Sequence, residues 1–332
     1  MSKRGEILRR LPILAICTAL GLAGACAPSG TESQSEPPSR DGSWRPAPAA
    51  GARDPAEVVE SAAAAEWRDV DPANLLLIDL ADAARVAIEL APEFAPVHVA
   101  NIRAFARAGW WDGAAIYRVQ DNYVAQWGVN ESEKPLPAGV VERPPAEYDR
   151  PLQGLTPRPL GFPDSYAPVA GHAGGWAIGY DPGRGRAWLA HCYATVGAGR
   201  SLAPDTGAGG ELYAVIGHAP RHLDLNIAAV GRVIDGIHAL SARPRGTGRL
   251  GFYEDRSSDV RIVRARIAAD IPPPARPAYQ VLRSDSGAFS EYVSGRANRG
   301  GDFFERPAGG VDLCNAPVPV RRKPLQGEHD PE

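Results

Sequence analysis

Ala95-Pro96-Val97-His98-Val99-Ala100-Asn101-Ile102, then Gly109, then Asp112-Gly113, then Ile116-Tyr117-Arg118-Val119: the reading of the whole chain turns on this stretch. Pro96 suits a first helical position, because its missing N–H and fixed φ cost nothing there. Val99, Ile102, Phe105 and Ala106 then recur at helical spacing, which predicts a helix with one apolar stripe. Gly109 ends it in the usual C-terminal role of glycine. Residues 114–128 are rich in Ile, Tyr, Val and Trp around an Asp121-Asn122 turn, and read as two strands. Upstream, Leu75-Leu76-Leu77-Ile78 reads as a buried strand. Val86, Ile88 and Leu90 alternate with Arg85, Ala87 and Glu89 in a half-buried one, completing a hairpin.

Downstream, residues 131–185 are rich in Pro and Gly, and predict a surface insertion with little regular structure. Strands resume at 187–192 and 212–216, and the apolar run 227–240 ends in a short helix. Val263, Ala265 and Ile267 alternate with Arg264 and Arg266 in a final strand. Many strands with turn signals point to a barrel or sandwich. Residues 272–332 form a tail, with a helix within 276–299 and an extended piece at 311–320 docked through Cys314.

The chain of 332 residues carries a formal net charge of -3 and no basic block, so no nucleic-acid partner is expected. Lys3, Arg4, Arg9 and Arg10 precede an apolar run at 11–22 and the small residues Ala23-Gly24-Ala25. This is the layout of a secretory signal over 1–25, too short to span a bilayer. Cys26 after small residues is a candidate lipidation site and membrane tether. Leu22 sits one place early for that pattern, so plain cleavage after Ala25 competes. Residues 26–70, rich in Pro, Ser, Gly and Ala, predict a flexible tether. Either processing route implies an exported protein, periplasmic or membrane-anchored. There Cys192 and Cys314 would form a disulfide, with two buried free thiols as the alternative.

No Gly-x-Ser-x-Gly elbow, phosphate loop or His-Glu-x-x-His motif occurs. His218 and His222 are four apart, but Pro220 lies between them, so a loop is expected rather than a metal-binding helix, and no cofactor is implied. What the opening stretch does resemble is a cyclophilin. That family has Ala-Pro leading into a helix with Val-x-Asn-Phe, a turn, and then Phe-His-Arg. Tyr123, Val124, Gln126, Trp127 and Gly128 resemble its next strand. Gly209-Gly210-Glu211-Leu212-Tyr213, Leu223-Asp224 and Val230-Gly231-Arg232-Val233-Ile234-Asp235-Gly236 follow in the family's order. The resemblance covers residues 74–270. It implies a mainly β, closed antiparallel eight-stranded barrel capped by two helices over 71–271, interrupted by the 131–185 insertion. A 272–332 extension would pack on it, and a monomer is expected.

The resemblance also implies a peptidyl-prolyl cis–trans isomerase acting on proline-containing polypeptides. Arg118 matches the family's catalytic arginine and Gln126 the glutamine that orients it. Tyr123, Tyr213 and Leu223 match the walls and floor of the proline pocket, with Val124 at its edge. Gly199 and Arg200 resemble the stretch lining the neighbouring groove, and Glu211 stands where the family has glutamine. Departures are plain: the two pocket phenylalanines are tyrosines, the rim residues are His222 and Ile227, and Trp127 threatens to crowd the strand. These changes bring in a second reading, a catalytically weak cyclophilin-like peptide-binding module or chaperone of the cell envelope.

Overall fold

A computed structural model describes residues 51–300 and 303–323. The signal, Cys26 and the tether up to residue 50 lie outside the described residues. The chain enters with α1 (Pro55–Ser61) and β1 (Trp67–Asp69), then β2 (Leu75–Leu80), β3 (Arg85–Leu90) and α2 (Pro96–Arg107). A second hairpin follows, β4 (Ala115–Val119) and β5 (Val124–Gly128). Next come β6 (Arg150–Pro151), β7 (Arg158–Pro159), β8 (Val169–Ala173), β9 (Trp176–Asp181) and β10 (Arg186–Leu189). Then come β11 (Thr195–Ala198), β12 (Glu211–Val215), β13 (Ala229–Asp235), α3 (His238–Ser241) and β14 (Val260–Ile267). The chain finishes with β15 (Tyr279–Leu282), α4 (Gly287–Ala297) and β16 (Val320–Arg322).

Eight of these strands close an antiparallel barrel in the order β11-β12-β5-β4-β14-β2-β3-β13. Strand alternation sorts its side chains. Leu76, Ile78 and Leu80 of β2 and Val86, Ile88 and Leu90 of β3 fill the interior with Val99, Ile102 and Phe105 of α2 and Leu240 of α3. Leu75, Leu77 and Ala87 point outward, yet they too are buried, against Tyr279, Val281, Leu282, Phe289 and Tyr292. This explains the unbroken apolar run at 75–78: one face serves the barrel and the other serves the C-terminal extension.

Four expectations are corrected. The tether does not run unstructured to 70. Asp54 accepts from the amides of Ala56 and Glu57 to cap α1, and β1 pairs with β15. The insertion is not irregular. It supplies β6 to β9 of a five-stranded antiparallel sheet completed by β10, so the 187–192 strand belongs to the insertion rather than the barrel. Trp176, Ile178 and Leu189 of that sheet pack on Ala91, Phe94 and Ala229. Val263 does not face the core but is 55% exposed, while Ile262 is fully buried, because a bulge between Ile262 and Arg264 resets the alternation. Glu89, expected on a wet face, is 3% exposed.

The insertion also closes over α2. The helix has no side-chain cap of its own, and Glu147 supplies one, accepting from the amides of Val97 (2.9 Å) and His98 (3.0 Å). Asn101 completes the attachment by exchanging hydrogen bonds with the backbone of Val141.

The tail is tied down through Cys192 and Cys314, which are disulfide-bonded across a sequence separation of 122. A loop of that length restricts the unfolded chain strongly. The Cys192→Ser, Cys314→Ser double variant is therefore expected to lose about 2–4 kcal/mol in denaturant unfolding. An unchanged midpoint would mean that the tail's apolar contacts suffice.

His172 adds a pH dependence. Its Nε2–H donates to the carbonyl of Ala316 (3.0 Å), and burial lowers the imidazole from its ordinary value to about 4. Between pH 6.5 and 4 the unfolded chain takes up a proton that the folded chain refuses, so stability falls as pH falls through that window. The expected loss is about 3 kcal/mol. His172→Gln should remove this part of the slope in pH-dependent denaturation; an identical slope would show that other groups produce it.

Candidate active site

The outer face of β4, β5, β12 and β11 carries one cross-strand row. Register pairs Arg118 with Gln126, Gln126 with Tyr213, and Tyr213 with Gly197. Strict alternation would send Tyr117 inward, but the ladder shifts between Ile116 and Arg118. Ile116 and Val119 therefore enter the core, while Tyr117 and Arg118 both reach the outer surface.

Arg118 is held at three points. Its Nε donates to the carbonyl of Leu250 (2.7 Å), one terminal nitrogen to Gln126 Oε1 (2.8 Å), and the other to Gln120 Oε1. The guanidinium carbon lies 5.5 Å from the Phe252 ring centroid and 6.0 Å from that of Tyr123. Partial burial lowers its pKa from the ordinary value, but arginine keeps its charge at any working pH. Gln126 in turn donates to Tyr117 Oη (2.9 Å). Tyr117 donates to Glu211, whose other oxygen accepts from Asn130 (3.1 Å). The carboxylate in place of glutamine thus serves as the anchor of this chain of hydrogen bonds.

Beside the row lies an apolar cluster of Val124, Tyr213 and Val215, with Tyr123, Leu223 and Ile227 packed on it. Tyr213 leans across β11, where only glycine leaves room: a Cβ at Gly197 would stand 2.3 Å from its hydroxyl. That hydroxyl lies 3.0 Å from His191 Nε2, and burial raises the phenol well above its ordinary pKa. His222, in a tight turn over Arg221–Leu223, stacks on Tyr123 at 6.0 Å. His218 lies on the preceding loop, outside any helix.

Gly199 sits against Gln126 and Glu211. Arg200 is turned to the carbonyls of Asn226 (3.1 Å) and Ser201 (2.8 Å). Trp127 does not crowd this face, because it points into the barrel core. Beyond Tyr117 and Glu211 the surface opens into a groove of about 670 Å³ lined by Gly128, Asn130, Phe252 and Asp259. A separate cavity of about 290 Å³, walled by Trp176, Leu189, Cys192 and Leu313, shares no residue with the row.

Residues 75–267 match the family model for cyclophilin type peptidyl-prolyl cis-trans isomerases. The chain belongs to this family. A cyclophilin from Hirschia baltica of known crystal structure is 25% identical, with a TM-score of 0.61, over 77% of this chain and 93% of that one. Probable peptidyl-prolyl cis-trans isomerases from Brucella suis and Brucella abortus are 43% and 41% identical over 58 residues. Those matches span 18% of this cyclophilin and 29% of each relative.

Sequence reasoning missed several members of this cyclophilin's site. Gln120 lies two residues from Arg118, and strand spacing could have suggested it. Phe252 and the Leu250 carbonyl arrive from a loop more than a hundred residues away, which no local pattern announces. His191 gave no signal either, since its partners Tyr213 and Asp224 are 22 and 33 residues off.

Proposed function

We propose that the protein is a peptidyl-prolyl cis–trans isomerase that accelerates X-Pro rotation by electrostatic stabilisation of the twisted amide. The rotation barrier of about 18–20 kcal/mol comes from amide resonance. No bond is made or broken, so the enzyme must bind the twisted amide more tightly than either planar form. Twisting returns the lone pair to the prolyl nitrogen. A fixed donor beside that nitrogen gains strength only as the twist develops.

The observation that carries this reading is the Arg118 guanidinium, fastened to Gln126 and Gln120 beside the cluster of Tyr123, Val124, Tyr213 and Leu223. The cluster accepts the pyrrolidine ring. Arg118 supplies the donor, and its anchors keep it from collapsing onto solvent. Gln126 holds Arg118 and, through its amide, the peptide backbone. Gly199, Arg200 and Glu211 line the path of the flanking residues.

The substrates are proline-containing exported polypeptides. The basic start, short apolar run and small residues before Cys26 support export, with lipidation at Cys26 tethering a monomeric domain to the cell envelope. The test is exchange NMR on an X-Pro peptide with substoichiometric purified protein. Exchange well above the uncatalysed rate supports the proposal. Background exchange with intact peptide binding would instead favour a binding module.

A further inference from the structure

The pocket floor is backed by a line of buried polar groups that the catalytic row does not use. The two terminal nitrogens of Arg221 clasp Asp164 of the insertion at 2.9 and 3.0 Å. Its Nε donates to Asp224 Oδ2 at 2.6 Å. Asp224 Oδ2 also accepts from the indole N–H of Trp188 (3.3 Å). Asp224 Oδ1 accepts from the backbone amide of His191 (2.9 Å) and from its Nδ1–H (3.0 Å). A carboxylate can only accept, so a proton sits on Nδ1, and Nε2 on the other side of the ring lies 3.0 Å from the Tyr213 hydroxyl. The side chains of Asp164, Arg221, Asp224 and His191 are all at most 5% exposed.

We infer that Asp164, Arg221, Asp224 and His191 form a positioning relay through which the insertion sets the shape of the proline pocket. The relay touches the pocket at two points. At one end it fixes the Tyr213 ring, which is the floor. In the middle, Arg221 and Asp224 flank Leu223, which is the wall. Asp164, Trp188 and His191 come from the insertion or its exit, so the added sheet is wired to the binding surface. This accounts for a tyrosine where the family has phenylalanine: the hydroxyl has a dedicated partner on the far side from the substrate.

The inference rests on the proline-pocket reading and makes a different prediction from it. None of the hydrogen bonds of Arg118 or Gln126 involves the relay. Loosening the relay should therefore weaken peptide affinity and spare the rate in the bound state.

Exchange NMR on the full chain with an Ala-Ala-Pro-Phe peptide reads both quantities. In Asp164→Asn the Kd should rise about tenfold, with saturated exchange within about twofold of wild type. Arg118→Ala should do the reverse. A folded Asp164→Asn protein with unchanged Kd overturns the inference. Should that variant fail to fold, Tyr213→Phe decides, since it keeps the ring and cuts the link. Its Kd should rise about threefold, and adding His191→Asn should change nothing more. Unchanged affinity in Tyr213→Phe overturns the relay equally. If wild type fails to accelerate exchange while Asp164→Asn still weakens binding, the relay stands and the isomerase reading alone falls.

Discussion

Replacing Arg118 by alanine should lower catalysed X-Pro exchange by about 10²–10³-fold, the usual cost of deleting one preorganised donor to a developing charge. Peptide affinity should change only a few-fold, because the apolar cluster that holds proline is left intact. The anchors of the side chain sharpen the expectation. Nε is committed to Leu250 and the terminal nitrogens to Gln126 and Gln120, so the guanidinium plane is fixed before substrate arrives. Lysine at 118 would keep the charge but could not span those anchors. Arg118→Lys should therefore recover little of the loss. Full activity in Arg118→Lys would mean that charge alone matters, and full activity in Arg118→Ala would end the electrostatic account.

Glu89→Ala should destabilise the fold by about 3–5 kcal/mol in denaturant unfolding, the range for breaking a buried ion pair from one side. Glu89 sits on the outer side of β3, where it binds Arg68 at 2.7 Å and Arg232 at 2.7 and 3.1 Å. The two guanidinia also donate to the carbonyls of Gly174 and Gly175 in the β8–β9 turn. Barrel, insertion and the sheet containing β1 therefore meet at one carboxylate. Without it two partly buried cations face each other. Burial pushes the Glu89 carboxyl up, but Arg232 and Arg68 outweigh it and hold the pKa below the ordinary value. The contribution is thus complete above the unfolded value near 4.3 and fades as pH falls below it. A loss under about 1 kcal/mol, the scale of a surface pair, would show that water screens the cluster.

The barrel was legible where side-chain periodicity is strong. The hairpin of β2 and β3, helix α2, and the paired strands β4 and β5 could be read from apolar spacing alone. Strand β11 could not: Thr195-Val196-Gly197-Ala198 offers four small residues and no alternation of bulk. Its glycine is there because Tyr213 needs the room. The bulge in β14 defeated period-two reasoning by leaving the neighbours Val263 and Arg264 both exposed. Glu89 looked like a solvated residue because nothing local shows that Arg68, Arg232 and the β8–β9 turn close over that end of β3. Arg118, Gln126 and the pocket residues were named from the family resemblance. What holds them in place, Phe252, Gln120 and His191, is tertiary and left no trace in spacing.

The mechanism depends on where a proline ring binds and on what faces its nitrogen. A crystal structure of the protein with an Ala-Ala-Pro-Phe peptide tests it most directly. The pyrrolidine should lie among Tyr123, Val124, Tyr213 and Leu223, with an Arg118 N–H directed at the prolyl nitrogen. A proline seated in the cavity beside the Cys192–Cys314 bridge, or an Arg118 swung away from the bound peptide, would contradict the account.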